Sequence, residues 1–141
     1  MVRVLIINGP NLNLLGKREP SLYGKRSFED YLVELKARFY EIELDYYQSN
    51  HEGDIIDKIQ EADGIYYGII LNPGAYAHTS IAIADAIRSV DIPVIEVHIT
   101  KLSEREPYRH NSYTAEACIT SIDGCGLESY ALGLNYLLER N

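Results

Sequence analysis

Tryptophan is absent and cysteine nearly so, Cys118 and Cys125 being the only two. Their spacing forms neither a CxxC pair nor a disulfide framework, so both are expected as reduced thiols in a cytoplasmic protein. No apolar run approaches the ~20 residues that span a bilayer. The opening segment Met1–Pro10 is too short for a signal-peptide core and leads straight into a strand. Positive charge is also in short supply. The net charge of −8 argues against nucleic acid or an anionic membrane as a partner. Repeats, low-complexity segments and internal boundaries are all missing. The 141 residues suit a single domain, 1–141, large enough to bury roughly two thirds of its unfolded surface. The lack of tryptophan beside 12 tyrosines decides nothing alone.

Two nucleotide signatures are missing as well. Gly9 to Gly16-Lys17 superficially resembles a P-loop, but six residues separate the glycines and Arg18 follows the lysine. No G-x-G-x-x-G follows the first apolar run either. What is present is alternation. Strands are expected at Val2–Asn8, Ile42–Gln48, Gly64–Leu71, Pro93–Ile99 and Cys118–Ile122. The third and fourth are nearly continuous apolar runs, as in strands covered on both faces. Helical spacing joins Phe28, Leu32, Leu35 and Phe39 behind a near capping box at Ser27. It recurs at Ile55, Ile56 and Ile59, then at Ile81, Ala84 and Ile87/Arg88 entered through Thr79 or Ser80, and finally at Tyr130, Leu134, Leu137 and Leu138. Crossovers too long for hairpins imply α/β architecture: a doubly wound parallel five-stranded sheet, in the flavodoxin-like order 2-1-3-4-5.

In such sheets ligands sit beyond the carboxyl ends of the strands, where strand order reverses. That places together Asn8–Gly24, Asn72–His78 and Glu96–Arg109, the stretches richest in polar chemistry. The first is far longer than the usual ~4–6-residue connection. Leu12, Leu14, Leu15 and Leu22 give it apolar groups to bury, and Gly16 and Gly24 bracket it as a lid would require; an ordinary surface loop is the competing reading. Basic residues gathered in loops of an acidic chain (Arg18, Arg105, Arg109) suggest a small anionic ligand, whereas Lys17, Lys25 and Lys101 read as solvated charge.

Three constellations follow. Asn72 and His78 can present donors around a turn at Gly74 that enters a helix. Glu96 and His98 share one face of a strand, so the carboxylate can hold one ring nitrogen and leave the other for acid–base work. A purely structural Glu–His pair remains open, as does a metal site, although His51, His78 and His110 lack any known ligand spacing. Arg18 and Tyr23 form the third. Free tyrosine ionises near pH 10, too high for a base at neutral pH. A guanidinium ~4 Å away at an effective dielectric of ~20 would stabilise a tyrosinate by ~4 kcal/mol before desolvation. Tyr23 as a packing residue is the alternative.

Assembled, these residues resemble the type II 3-dehydroquinate dehydratases. Four ordered motifs spread over nearly the whole chain carry the resemblance: NGPNLNLLGKREPSLYG, QSNHEGDIID, NPGAYAHTSIAIADAI and PVIEVHITKLSEREPYRHNSY. It implies a flavodoxin-like subunit, often in a homododecamer of four trimers, without metal or organic cofactor. The implied reaction removes water from 3-dehydroquinate to give 3-dehydroshikimate, in the shikimate or quinate pathway. By resemblance Tyr23 removes the C2 proton and Arg18 supports the tyrosinate. Asn11 holds a water that stabilises the enolate, and His98, oriented by Glu96, protonates the departing C1 hydroxyl. Asn72, His78 and Arg109 match ligands of the substrate hydroxyls, and the amides of Ile99 and Thr100 match those that take the carboxylate. Asp85 matches an acid that reaches the site from a neighbouring subunit.

Ile99-Thr100-Lys101 stands where that family more often has a Ser-Asn pair after the isoleucine, and Glu128 and Ser129 interrupt a more apolar, glycine-rich segment. Three other readings compete: a flavin- or phosphoryl-binding domain, an inactive structural oligomer, and metal-dependent hydrolysis by His78 and His98. Lysine Schiff-base chemistry has no candidate at a central strand end.

Overall fold

In a computed structural model, residues 1–140 are described. Five parallel strands, β1 (Arg3–Asn8), β2 (Glu43–Gln48), β3 (Gly68–Asn72), β4 (Val94–Val97) and β5 (Thr120–Ile122), lie in the order β2-β1-β3-β4-β5. Helices are α1 (Pro20–Tyr23), α2 (Phe28–Arg38), α3 (Glu52–Ala62), α4 (Ile81–Arg88) and α5 (Glu128–Glu139). The order and the all-parallel pairing are those read from the sequence.

Side-chain alternation divides the sheet into two apolar layers. Val4, Ile6, Ile70, Ile95 and Val97 face Phe28, Tyr31 and Leu35 of α2 and Tyr130, Leu134 and Leu137 of α5. Leu5, Ile7, Ile69, Leu71 and Val94 face Ile55 and Ile59 of α3 and Ile83 and Ile87 of α4. Each fully buried Leu or Ile contributes roughly 1.5–3 kcal/mol, which makes β1 and β3 the most securely fixed elements. Both end at the site. Because residues alternate, Glu96 and His98 point to the α3/α4 side, opposite Ile95 and Val97.

Helix starts follow their caps. Ser27 Oγ accepts from the Asp30 amide at 3.1 Å, and Ser80 Oγ from Ile83 at 2.9 Å; such caps are worth about 1 kcal/mol. Ser80 rather than Thr79 is therefore the entry to α4. On α2 the buried stripe is Phe28, Tyr31 and Leu35, with Leu32 and Phe39 only packing along its margin.

All five strands begin later than expected, the first, second and fourth by one residue and the fifth by two, and the third and fourth depart most. The third strand begins at Gly68, not Gly64, because the amides of Ile65 and Tyr66 both donate back to Ala62 at 3.0 Å and prolong the end of α3. Ile65 and Tyr67, apolar in the sequence run, are exposed there. The ladder of β4 ends at Val97, although His98 still donates to Ile122 at 2.9 Å.

Candidate active site

The long first loop is ordered around its leucines. Leu12 and Leu15 are buried, whereas Leu14 and Leu22 stay exposed, so only part of the expected burial occurs. A 3-10 turn at Leu12–Leu14 and the single turn of α1 give it local structure. Its root is tied down where β1, β2 and β3 end. Gly9 donates to Asn72 O at 2.8 Å, and a Cβ there would meet Pro73 O at 2.5 Å, so only glycine permits the approach. Gln48 donates to Gly9 O at 3.2 Å, and the Asn11 amide donates to Asn50 Oδ1 at 3.0 Å. Gly16 and Gly24, with φ of 92° and 86°, turn the chain at either end of the basic segment.

That segment delivers Arg18 and Tyr23 to a cleft of about 90 Å³ whose walls also include Asn11, Asn72, His78, His98, Thr100, Arg105 and Arg109. Arg18 Nη2 donates to the Tyr23 hydroxyl at 3.2 Å, and its guanidinium carbon lies 4.2 Å from the ring centroid. Arg105, which the sequence offered only as one more loop cation, makes the shorter bond. Its Nη1 lies 3.0 Å from the Tyr23 hydroxyl and 3.0 Å from Thr100 Oγ1. Two guanidinium groups therefore converge on one phenolic oxygen, and both bonds strengthen when that oxygen carries charge.

Across the cleft, His98 Nε2 bonds Glu96 Oε2 at 2.7 Å, and both side chains are buried. Nδ1 makes no hydrogen bond within the described residues. Glu96 is held further by Ser112 Oγ, donating at 2.6 Å, and by the Thr114 hydroxyl. Neither was anticipated: no periodicity marks them, and only the return of the Asn111–Thr114 loop across the end of β4 brings them in. His78 stacks against His98 at 6.3 Å between centroids, and its Nδ1 donates to Asn111 O at 2.8 Å. Burial lowers its pKa, opposed in part by that backbone bond, so a neutral ring presents Nε2 as an acceptor.

Asn72 is nearly enclosed. Its amide nitrogen donates to Tyr130 at 2.9 Å, its oxygen accepts from Gly74 at 3.1 Å, and Tyr130 in turn donates to Asn8 at 2.7 Å. One N–H remains for the cleft. Arg109 lies 3.2 Å from Glu106, whose carboxyl is held down to about 2, chiefly by the Tyr108 hydroxyl. The carbonyls of Ile99 and Thr100 accept from Gly126 and Gly124 at 3.0 and 3.1 Å, while their own amides have no partner among the described residues.

Other candidates lie elsewhere. Asp85 is exposed on α4, 3.8 Å from Arg88, and is outside the cleft. Lys101 lines a larger, more open hollow of about 570 Å³ that shares Tyr23, Thr100 and Arg105 but neither histidine. Glu128 is paired bidentately with Arg38 at 2.8 and 2.9 Å, and buried Ser129 accepts from the Cys125 amide at 3.3 Å. Among the described residues no three His, Cys, Asp or Glu gather as a metal site, and no helix is long and apolar enough to cross a membrane.

Known proteins share this fold. The family described as dehydroquinase class II matches residues 2–138. A 3-dehydroquinate dehydratase of Bacillus cytotoxicus is 54% identical, covering 99% of this chain and 97% of its own. The crystal structure of the type II dehydroquinase of Butyrivibrio crossotus superposes with a TM-score of 0.92 at 47% identity, covering 98% of each chain. That of Propionibacterium acnes gives 0.94 at 34% identity, covering 99% of this chain and 98% of its own. With the family match spanning residues 2–138 and relatives of 47–54% identity covering almost the whole length, the chain belongs to the class II dehydroquinase family and is an enzyme of the type II 3-dehydroquinate dehydratase kind.

Proposed function

We propose that the whole chain, 1–141, is one catalytic domain that eliminates water from 3-dehydroquinate through an enolate, with Tyr23 as base and His98 as acid. The observation that carries this reading is the pairing of two guanidinium groups with the Tyr23 hydroxyl, at 3.2 and 3.0 Å, opposite a histidine whose far nitrogen is anchored on a buried carboxylate. Tyrosinate takes the C2 proton, and the charge it gives up passes to the substrate as an enolate. A water held by Asn11 stabilises that oxyanion. The C1–O bond then breaks with its electron pair on oxygen, and the Nδ1 proton of His98 converts the departing hydroxide to water. The Nε2 proton stays against Glu96 throughout. Asn72, His78 and Arg109 receive the ring hydroxyls, and the free amides of Ile99 and Thr100 receive the carboxylate. The chemistry requires no metal or organic cofactor.

The same reading makes the enzyme cytoplasmic, with Cys118 and Cys125 as free thiols, and a homododecamer of four trimers. Asp85 supports the assembly: an exposed acid, 3.8 Å from Arg88, is available to a second subunit's cleft. Asp85→Ala is expected to lower turnover or loosen the assembly in sedimentation, and a fully active monomer would contradict the shared site.

The reaction is tested by adding 3-dehydroquinate to protein purified in chelator and following the ultraviolet absorbance of the conjugated product. Rapid product from wild type and none from Tyr23→Phe is expected. Absence of product from folded wild type would remove the proposal.

A further inference from the structure

Glu96 carries more donors than a histidine orienter needs. Its Oε2 receives His98 Nε2 at 2.7 Å and Ser112 Oγ at 2.6 Å, and its Oε1 receives the Thr114 hydroxyl. Both hydroxyls donate, the carboxylate oxygens being the acceptors, and the Ser112 oxygen also accepts from the Ala115 amide at 3.0 Å. Glu96 and Thr114 are both 0% exposed, so no solvent moderates these bonds. A buried carboxylate is held as an anion by such donors, and each one also draws electron density away from the bond to His98. The two effects act on one proton.

We propose that Thr114, seconded by Ser112, is a positioning residue of the reaction: its hydroxyl clamps Glu96 and so sets how readily His98 releases its Nδ1 proton to the leaving hydroxyl. This rests on the reading of His98 as the acid. Without Thr114 the carboxylate is more basic, draws harder on the Nε2 proton and makes the imidazolium a weaker acid. The dyad then keeps its protons to higher pH. The other titratable and charged groups around it are His78, stacked on His98, with Arg18, Tyr23, Arg105 and Arg109 across the cleft and Cys118 behind Glu96. The thiol of Cys118 is pushed up by burial and by the Glu96 charge, so it stays neutral and does not compete.

The test compares Thr114→Val, Thr114→Ser and His98→Asn in full pH profiles of kcat and KM, with [15N]histidine NMR of the His98 ring alongside. Thr114→Val is expected to lower kcat about tenfold with KM changed less than about twofold, as loss of a hydrogen bond to a charged group implies. The alkaline limb of the profile and the pH at which the His98 ring signals change should both move up relative to wild type. Thr114→Ser should restore both. A wild-type kcat, profile and His98 titration in folded Thr114→Val, with His98→Asn inactive in turnover, overturns the proposal. Full activity in His98→Asn would instead remove the acid assignment beneath it. Should Thr114→Val not fold, Ser112→Ala carries the same measurement on the other oxygen, with a smaller shift of the same sign. An unmoved His98 titration there overturns the proposal equally.

Discussion

On one wall of the cleft Tyr23 hangs from a loop, half-exposed, fixed by two long arginines that come from different segments. On the other, His98 stands just past the end of β4, and the carboxylate behind it is fully enclosed and triply bonded. The base wall, so called for the role proposed for Tyr23, is assembled from side chains with many rotatable bonds and short-range backbone turns. The acid wall, named for the role proposed for His98, is part of the sheet's own core. Long polar side chains lose conformational freedom whenever they are ordered, so the base wall is the half that can come apart without unfolding the protein. The acid wall can fail only with its surroundings. The proposed roles suit these two kinds of construction: a base that meets substrate from a loop, and an acid that holds one tautomer.

The largest expected effect breaks the base wall itself. Tyr23→Phe keeps the ring between the arginines but removes the oxygen proposed to react, and should cost about 10³-fold or more in kcat with thermal stability unchanged, as a melting curve would check. Next come its two partners. Arg18→Ala and Arg105→Ala are each expected to lower kcat about 10- to 100-fold, because each loses one charge-assisted bond to the same oxygen. Measured together in a double-mutant cycle, they should be non-additive. Strict additivity would mean that they do not act through Tyr23.

The acid wall is probed through pH. The His78 pKa is depressed by burial, so the folded state binds its proton later than the unfolded chain does. The sign follows: stability is intact above the unfolded histidine pKa of about 6.5 and falls as pH drops from there through the lower folded value. His78→Asn should flatten this part of a plot of Tm against pH between 7 and 5. The smallest effect lies far from both walls. Arg38→Ala removes the half-exposed pair with Glu128 joining α2 to α5 and should cost no more than about 1 kcal/mol in denaturant unfolding. Turnover should be unaffected.

The two walls were unequally legible from the sequence. Strand order followed from apolar runs and crossover length, and the Glu96–His98 bond followed from two-residue periodicity, which is a local rule. Arg18 and Tyr23 are five residues apart in one loop and could be paired by inspection. Arg105 is 82 residues from Tyr23, and Ser112 and Thr114 are 16 and 18 residues from Glu96. They reach their partners through irregular loops whose paths no periodicity encodes. The start of β3 is hidden in the sequence for a related reason. Ile65, Tyr66 and Tyr67 look like strand residues, but the hydrogen bonds that close α3 at Ala62 claim the backbone first.

The central claim, that base and acid are separate groups on separate walls acting in succession, has a direct test. Incubation of 3-dehydroquinate in D2O with His98→Asn and with Tyr23→Phe, read by NMR at C2, separates proton removal from loss of water. His98→Asn is expected to exchange the C2 proton while forming almost no product, and Tyr23→Phe is expected to do neither. Exchange by Tyr23→Phe, or turnover without loss by His98→Asn, would contradict the account.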